Sequence, residues 1–449
     1  MRTLCFLLAL LISAQAFSWS NHTLVSHQLL ATIPQVHDAA PAKVESLESF
    51  LLANEKALEA FLDQQERWMQ ENLWHYAPRP PELAFKATGS KDNIRTRFAH
   101  AIRVNPNTKW PLYLQLLPGE KRQSPPIKPR SISTLNRFGH LASVQLVQLK
   151  PGDKASAVDI VTTATDEPDH GLDIGLFTDS DTDYGKIYGF GKQPFGNPNL
   201  EYGTQAPFHM GFYHESSILY ALGGFLKQTY PEYRIQLFKQ LSEFAFQQGH
   251  EYWGWRFMGW GLHYLGDFSN PYHVTPIPGN NVMTTLWVGL KGLIGFPEAQ
   301  NRAIQLASNR HTVLEDFQSL VMSRAYKENN IQHPTIQALT RQKPARVYED
   351  GHIVTVISQQ AYDKAHDLYK VLEQTMPEQY VDNPLVEYSK LNARFSLQKT
   401  VLMTSGEDGY NQLVTIISDL LGGFSENGAS YVEAILSANT FQSDQANLD

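Results

Sequence analysis

The sequence almost lacks cysteine, the residue that cross-links many exported proteins. Among its 449 residues only Cys5 is a cysteine, and it lies in an apolar N-terminal segment. A chain with one cysteine can form no internal disulfide, and removal of that segment would also remove its only thiolate. The sequence therefore predicts a protein with no disulfide partner, held together by its core or by metal ions.

The sequence also has a deficit of basic residues and contains no long apolar run. Lys and Arg total 37 against 45 for Asp and Glu, which gives a formal net charge of −8. Duplex nucleic-acid binding relies on clustered Lys and Arg, so we expect no duplex nucleic-acid partner. No stretch has the length of a transmembrane helix, so we expect no membrane-spanning segment. A small phosphate-bearing substrate remains compatible with this charge, because metal ions can supply the positive charge.

The first eighteen residues have the pattern of a secretory signal peptide. A basic start, Met1-Arg2, precedes an apolar run over 5–12 and a small-residue cleavage site ending at Ser18. This arrangement is typical of a segment that is removed on export. We therefore expect a secreted protein, extracellular or periplasmic, whose mature chain begins with Trp19.

Helical periodicity dominates the remaining chain, which predicts a mainly α-helical fold. One catalytic domain is expected over 19–437, followed by a polar tail over 438–449. Proline and glycine are frequent in 76–136, and β-prone runs follow at 143–149 and 157–163, so 76–160 is predicted to be an inserted region of loops and strands. The predicted helices are 22–33, 44–73, 214–229, 232–264, 296–325, 351–375, 384–403 and 410–437.

Two pairs of metal-type side chains are spaced one helical turn apart. His263 precedes Asp267 by four residues, and His311 precedes Glu315 by four, so each pair lies on one face of its helix. Pro271 ends the first of these helices, and His273 follows in a predicted loop. Imidazole and carboxylate together suit zinc. Either pair alone is more often structural, so it indicates a metal site only if further ligand residues accompany it.

Three further groups could supply ligands, and each leaves an alternative open. They are the α-amine of Trp19 with His22 or His27, the acidic loop residues Asp166, Asp169 or Asp173, and His209 or His214.

The order of these residues resembles that in the zinc-dependent phospholipase C and P1 nuclease superfamily. In that family the mature chain begins with tryptophan, and an H-x₃-D pair, a loop histidine and a second H-x₃-E or H-x₃-D pair follow in turn. The string HYLGD at 263–267 and the final Glu315 resemble the phospholipases more than the nucleases. The chain length is nearest to the longer Gram-negative phospholipases C, including those of Legionella and Pseudomonas fluorescens.

The resemblance implies a multi-helix bundle around a cluster of three zinc ions. The first ion would be held by Asp166, His209, His263 and Asp267, and Asp166 would also orient or deprotonate the attacking water. The second would be held by Trp19, His22 and Asp267, so that Asp267 bridges two ions. The third would be held by His273, His311 and Glu315.

The same resemblance implies a hydrolase acting at a membrane or micelle surface. It would cleave phosphatidylcholine-type lipids to diacylglycerol and a phosphorylated head group, using water activated by zinc. The apolar segment 283–296 is a candidate lipid-facing loop. A P1-type nuclease or other zinc phosphoesterase is an alternative. A secreted helical protein with a non-catalytic zinc site is another.

Overall fold

The computed structural model describes residues 21–446, apart from 137, 139–140, 142–143, 197–201, 280–296, 341–345 and 350. The predicted signal peptide, the predicted ligand Trp19 and the predicted lipid-facing segment 283–296 lie outside the described residues.

Helix accounts for 61% of the structure and strand for 3%, so the prediction of a mainly helical protein is confirmed. The helices, in chain order, are α1 (His22–Ala31), α2 (Pro34–His37), α3 (Leu47–Ala53), α4 (Glu55–Asn72), α5 (Ile94–Ala101), α6 (Ala157–Ala164), α7 (Asp183–Ile187), α8 (Ala206–His209), α9 (Ser217–Leu222), α10 (Pro231–Gln247), α11 (Glu251–Asp267), α12 (Pro271–Val274), α13 (Pro297–Lys327), α14 (Pro334–Gln337), α15 (Ser358–Thr375), α16 (Glu378–Val381) and α17 (Leu397–Ala446). The strands are β1 (Ala42–Lys43), β2 (Tyr113–Leu116), β3 (Gln145–Gln148) and β4 (Lys154–Ala155), paired antiparallel as β1 with β4 and β2 with β3.

Several predicted helices are divided in the structure. The predicted helix over 232–264 is two helices, α10 and α11, and they are separated by a turn in which Gly249 has a φ of 74°. Glycine adopts this left-handed conformation without steric cost, so the chain reverses there and the two helices pack on each other. In α17 the helical run has a kink at Gly406, where φ is 68°. The helix continues to Ala446 through most of the predicted polar tail.

The β-prone run at 157–163 forms helix α6, so its assignment to strand was wrong. Ser156 caps this helix by accepting a hydrogen bond from the backbone N–H of Asp159. Almost every side chain of α6 is buried between neighbouring elements, chiefly α1 and α11. Burial on all sides favours large apolar residues irrespective of their β-propensity, which is why the run resembles a strand in sequence.

Helices α6 and α11 approach closely at Gly259. A Cβ atom there would lie 2.5 Å from the Cβ of Ala164 and 2.6 Å from the carbonyl oxygen of Val161. We expect Gly259→Ala to lower the free energy of unfolding by about 1–3 kcal/mol, because the added methyl must push the two helices apart. Denaturant titration of the purified protein measures this change.

Gly422→Ala in α17 is the matched control for Gly259→Ala. A Cβ at Gly422 would meet nothing closer than the Ala338 carbonyl at 4.0 Å. Alanine there should be neutral or should stabilise the protein by up to about 1 kcal/mol, because alanine is the better helix former. Equal unfolding midpoints for the two variants would contradict the close packing at Gly259.

The 76–160 region packs on the helical body rather than standing apart from it. Leu114 and Val147 belong to the same buried apolar core as residues of α1, α11 and α17. The backbone N–H of Gln115 in β2 donates to the hydroxyl of Thr163 in α6 at 3.0 Å. The small β2–β3 sheet therefore supports α6 and, through it, the loop that follows α6. Among the described helices, none has both the length and the apolarity needed to cross a membrane.

Candidate metal centre

Six segments bring histidine and carboxylate side chains together in the interior of the protein. Three groups of these side chains place their nitrogen and oxygen atoms close enough to share an ion. Every member of the groups is buried. The groups are His22, His263 and Asp267; Asp169, His209 and His263; and His273, His311 and Glu315.

The short stretch 263–273, at the end of α11 and in α12, contributes side chains to all three groups. His263 and Asp267 lie one turn apart on the same face of α11. Asn270 then caps the one-turn helix α12 through a hydrogen bond from the N–H of Tyr272. This sharp turn directs His273 back toward α8, where its Nδ1 lies 2.7 Å from the backbone carbonyl of His209. His273 was expected in a loop and lies instead in α12.

The group formed by His273, His311 and Glu315 converges on one point. Nε2 of His273 lies 3.1 Å from Nε2 of His311, and Nε2 of His311 lies 2.6 Å from Oε1 of Glu315. A carbonyl oxygen only accepts, so the contact with the His209 carbonyl requires the proton of neutral His273 to be on Nδ1, which leaves a lone pair on Nε2. One proton can link only two of the three converging atoms. A cation at this point would satisfy all three.

The group that contains Asp169 repeats this arrangement. Nδ1 of His263 lies 2.7 Å from the carbonyl of Thr165, so the neutral ring presents a bare Nε2 to the centre. That Nε2 is 3.2 Å from Nδ1 of His209 and 3.9 Å from Oδ1 of Asp169. Gln205 donates to the same carboxylate oxygen at 3.1 Å and orients it.

Asp267 lies between two histidines and offers a different oxygen to each. Its Oδ1 is 3.3 Å from Nε2 of His22, and its Oδ2 is 2.9 Å from Nδ1 of His209. A carboxylate with this geometry can join two neighbouring ions. This is the position that the resemblance implies for Asp267.

The acidic loop after α6, residues 166–173, contains four carboxylates, and each of them contacts a different partner. Asp166 accepts hydrogen bonds from the backbone N–H and the hydroxyl of Thr23, at 3.2 and 2.9 Å, and a third from Gln115. Glu167 pairs with Arg256, Asp173 pairs with Arg234, and Asp169 faces the histidines. The geometry therefore favours Asp169 as the ligand from this loop, because Asp169 faces the histidines, whereas Asp166 accepts its three hydrogen bonds from Thr23 and Gln115.

The structure also distinguishes between the alternative histidines, His22 or His27 and His209 or His214. His27 is only partly buried and packs edge-on against Tyr326. His214 contacts the hydroxyl of Ser358 at 2.7 Å. His22 and His209, in contrast, belong to the buried groups.

The charges at the centre are poorly compensated by the protein itself. Burial raises the pKa of Asp169 to about 7 and that of Glu315 to about 8. Burial also lowers the pKa of His311 to about 3, which keeps its imidazole neutral. In the third group, the buried carboxyl of Glu315 beside the neutral imidazole of His311 forms a site that a divalent cation would stabilise.

The sequence interpretation missed the residues that hold the acidic loop. Arg234 and Arg256 are buried in α10 and α11 and form ion pairs with Asp173 and Glu167. A signal was present, because each arginine stands alone in an aromatic and apolar helical stretch, "YRIQLF" and "GWRFMGW". A charged residue in such a stretch is rarely buried without a partner.

Asp169→Asn is expected to lower zinc affinity by about 10-fold or more, because it removes a charged donor from the group with His209 and His263. Asp166→Asn is expected to retain zinc, because its partners are Thr23 and Gln115. Equilibrium titration against a chromogenic chelator measures both affinities. Loss of zinc from the Asp166 variant alone would instead support the ligand set implied by the family resemblance.

Comparison of the chain with known protein families, with curated proteins and with solved structures gives no match.

Proposed function

We propose that this protein is a secreted, zinc-dependent phospholipase C related to the zinc phospholipase C and P1 nuclease superfamily. It would hydrolyse the glycerol-side phosphodiester bond of phosphatidylcholine-type lipids, releasing diacylglycerol and a phosphorylated head group. The observation that carries the proposal is the convergence of buried nitrogen and oxygen donors in three groups, two of which share His263.

The residues present fit metal ions on chemical grounds. In the described part of the chain, Oδ1 of Asp267 is buried without a hydrogen-bond partner, although it faces the ring of His22. Unsatisfied buried polar atoms are costly, and metal coordination or a metal-bound histidine removes that cost. Several imidazoles with carboxylates are a donor set that suits zinc better than calcium or magnesium, which prefer oxygen ligands alone.

Three ions would be held, with His263 assigned to the first ion and Asp267 shared by the first and the second. Asp169, His209, His263 and Asp267 would hold the first, His22 and Asp267 the second, and His273, His311 and Glu315 the third. Trp19 is proposed to complete the second site. When bound, zinc supplies Lewis acidity, which polarises a phosphoryl oxygen and lowers the pKa of a ligated water.

The protein's own contribution is to fix these side chains and to keep the centre dry. The carbonyls of Thr165 and His209 hold the rings of His263 and His273 in one tautomer, so their Nε2 atoms point inward. Gln205 orients the Asp169 carboxylate. Burial of all these groups strengthens their electrostatic action on charge that develops on a phosphoryl group.

The number of donors favours a catalytic over a structural role. A structural zinc site is usually closed by four protein ligands, whereas a catalytic site keeps a position for water or substrate. The third group has three protein donors, His273, His311 and Glu315. Three adjacent groups also exceed what a single structural ion requires. The choice of phospholipid over nucleic acid rests on the sequence resemblance at 263–267 and on Glu315.

The experiment that tests the proposal is hydrolysis by the purified mature protein. Phosphatidylcholine vesicles and single-stranded DNA are offered in parallel, before chelation, after chelation and after zinc is restored. We expect release of phosphocholine that is lost on chelation and recovered with zinc.

Each other outcome has a defined meaning. Zinc-dependent cleavage of DNA alone would replace the phospholipase by a nuclease and leave the metal centre intact. Zinc bound at stoichiometric amounts without either activity would support a non-catalytic metal protein. Absence of bound zinc would overturn the centre itself.

A further inference from the structure

Asp173 lies beside the metal centre and faces the ring nitrogen of His209 that points away from Asp267 and His263. Its Oδ2 is 3.4 Å from Nε2 of His209 and also accepts a hydrogen bond from the hydroxyl of Tyr264. In the described part of the chain, Nε2 of His209 has no hydrogen bond of ordinary geometry, and the Asp173 carboxylate is the charged group that faces it. The other ring nitrogen, Nδ1, faces Asp267 and His263.

Arg234 holds Asp173 in this position. Nε and one terminal nitrogen of Arg234 donate to Oδ1 of Asp173 at 3.0 and 2.6 Å. The same guanidinium donates to the backbone carbonyls of Ile102 and Arg103 at 2.9 and 2.8 Å. Both Arg234 and Asp173 are fully buried. A buried arginine with this many fixed partners keeps the carboxylate ionised and immobile.

We infer that the Arg234–Asp173 pair is a positioning device that forces His209 to bind metal through Nδ1, with its proton held on Nε2. This is the reverse of His263 and His273, whose Nδ1 atoms face backbone carbonyls and whose Nε2 atoms face the centre. The inference rests on the proposed metal centre, and it assigns Asp173 to the support of a ligand rather than to the ligand set.

The reversed ring has a structural cause. His209 ends the short helix α8, and its own carbonyl is already occupied by His273. The ring of Tyr264 lies 5.0 Å from the ring of His209 and supplies one wall, while Asp173 lies beyond Nε2. A carboxylate behind a metal-binding histidine fixes its tautomer and raises its basicity as a ligand.

The chain contains a matched control for this device. Glu167 is a second buried carboxylate of the same loop, and it pairs with Arg256 at 2.7 Å and with Trp260 at 2.6 Å. None of the contacts described for its carboxylate involves a histidine of the three groups. Glu167→Gln therefore removes a comparable buried ion pair without changing the support of a proposed ligand.

The test compares zinc affinity in Asp173→Asn and Glu167→Gln by competition with a chromogenic chelator. We expect a loss of about 10–100-fold for Asp173→Asn and native affinity for Glu167→Gln, although both should be less stable to heat. Equal affinities in the two variants, with zinc bound to the native protein, would overturn the inference alone. Absence of zinc from the native protein would overturn the metal centre as well.

A spectroscopic measurement on the native protein tests the tautomer directly. In ¹⁵N-labelled, zinc-loaded protein, long-range ¹H–¹⁵N correlation shows which imidazole nitrogen carries the proton. We expect a proton on Nε2 of His209 and on Nδ1 of His263 and His273. A proton on Nδ1 of His209 would refute the inference.

If the Asp173→Asn variant fails to fold, Tyr264→Phe provides a second test. It removes one hydrogen bond to Asp173 and is expected to weaken zinc binding several-fold. Unchanged zinc binding would contradict the inference.

Discussion

Asp267→Asn is expected to remove more than one zinc ion per chain and to reduce hydrolysis by about 10³-fold or more. The two oxygens of Asp267 face His22 and His209 separately, so one carboxylate contacts histidines of two of the three groups. An asparagine has one oxygen donor and no charge, so it cannot join two cations. Since Lewis-acid stabilisation is worth several kcal/mol, its loss reduces the rate by orders of magnitude.

Elemental analysis of the dialysed variant, with protein concentration from absorbance, measures the loss of zinc. Asp183→Asn is a suitable control, because Asp183 is fully exposed in α7 and distant in sequence from every proposed ligand. Full zinc content in the Asp267 variant would show that this residue does not bridge.

Glu315→Gln is expected to remove about one zinc ion and to leave the others bound. Glu315 belongs only to the group with His273 and His311, and Asn270 donates to its Oε1 at 3.4 Å. Replacing the carboxylate removes the one negative charge of this group. The expected loss of activity is again large, because the ion it holds would no longer neutralise charge on the phosphoryl group.

The neighbouring Asp316→Asn controls for damage to α13. Asp316 points to a different partner, the hydroxyl of Tyr388 at 3.1 Å, and also pairs with Arg394. The Asp316→Asn variant should lose some stability and keep its zinc. A Glu315 variant that loses all its zinc would contradict three separate groups, whereas full zinc content would exclude Glu315 as a ligand.

The two variants together separate a bridged pair of ions from an independent third. Asp267→Asn would remove a ligand of two proposed ions and Glu315→Gln a ligand of one, so the zinc contents of the two variants should differ. Equal losses in the two variants would mean that the groups bind metal as one cooperative unit.

Some of the site could be predicted from sequence because its residues are close along the chain. His263 with Asp267, and His311 with Glu315, each lie one turn apart, and helical geometry alone places each pair on one face. The structure brings both pairs into the buried groups. The helical class of the fold followed in the same way from local periodicity.

The role of each carboxylate in the acidic loop could not be predicted from the local sequence. Asp166, Asp169 and Asp173 are identical in type and a few residues apart; the family resemblance pointed to Asp166, whereas the structure turns Asp169 toward the histidines. Their roles depend on Thr23, Gln205 and Arg234, which belong to segments far away in the chain. Which of these carboxylates faces the histidines is therefore set by tertiary contacts and not by the local sequence.

The strand assignment at 157–163 was wrong for a related reason. Local β-propensity was outweighed by burial of α6 between α1 and α11, with the close approach at Gly259. The sequence by itself determined the mainly helical class, the absence of an internal disulfide and the pairing of histidine with carboxylate on one helix face, because these depend on composition and on spacing along one element. Only the tertiary structure decided which loop carboxylate faces the histidines and which ring nitrogen each histidine presents, because these depend on where distant donors and carbonyls lie.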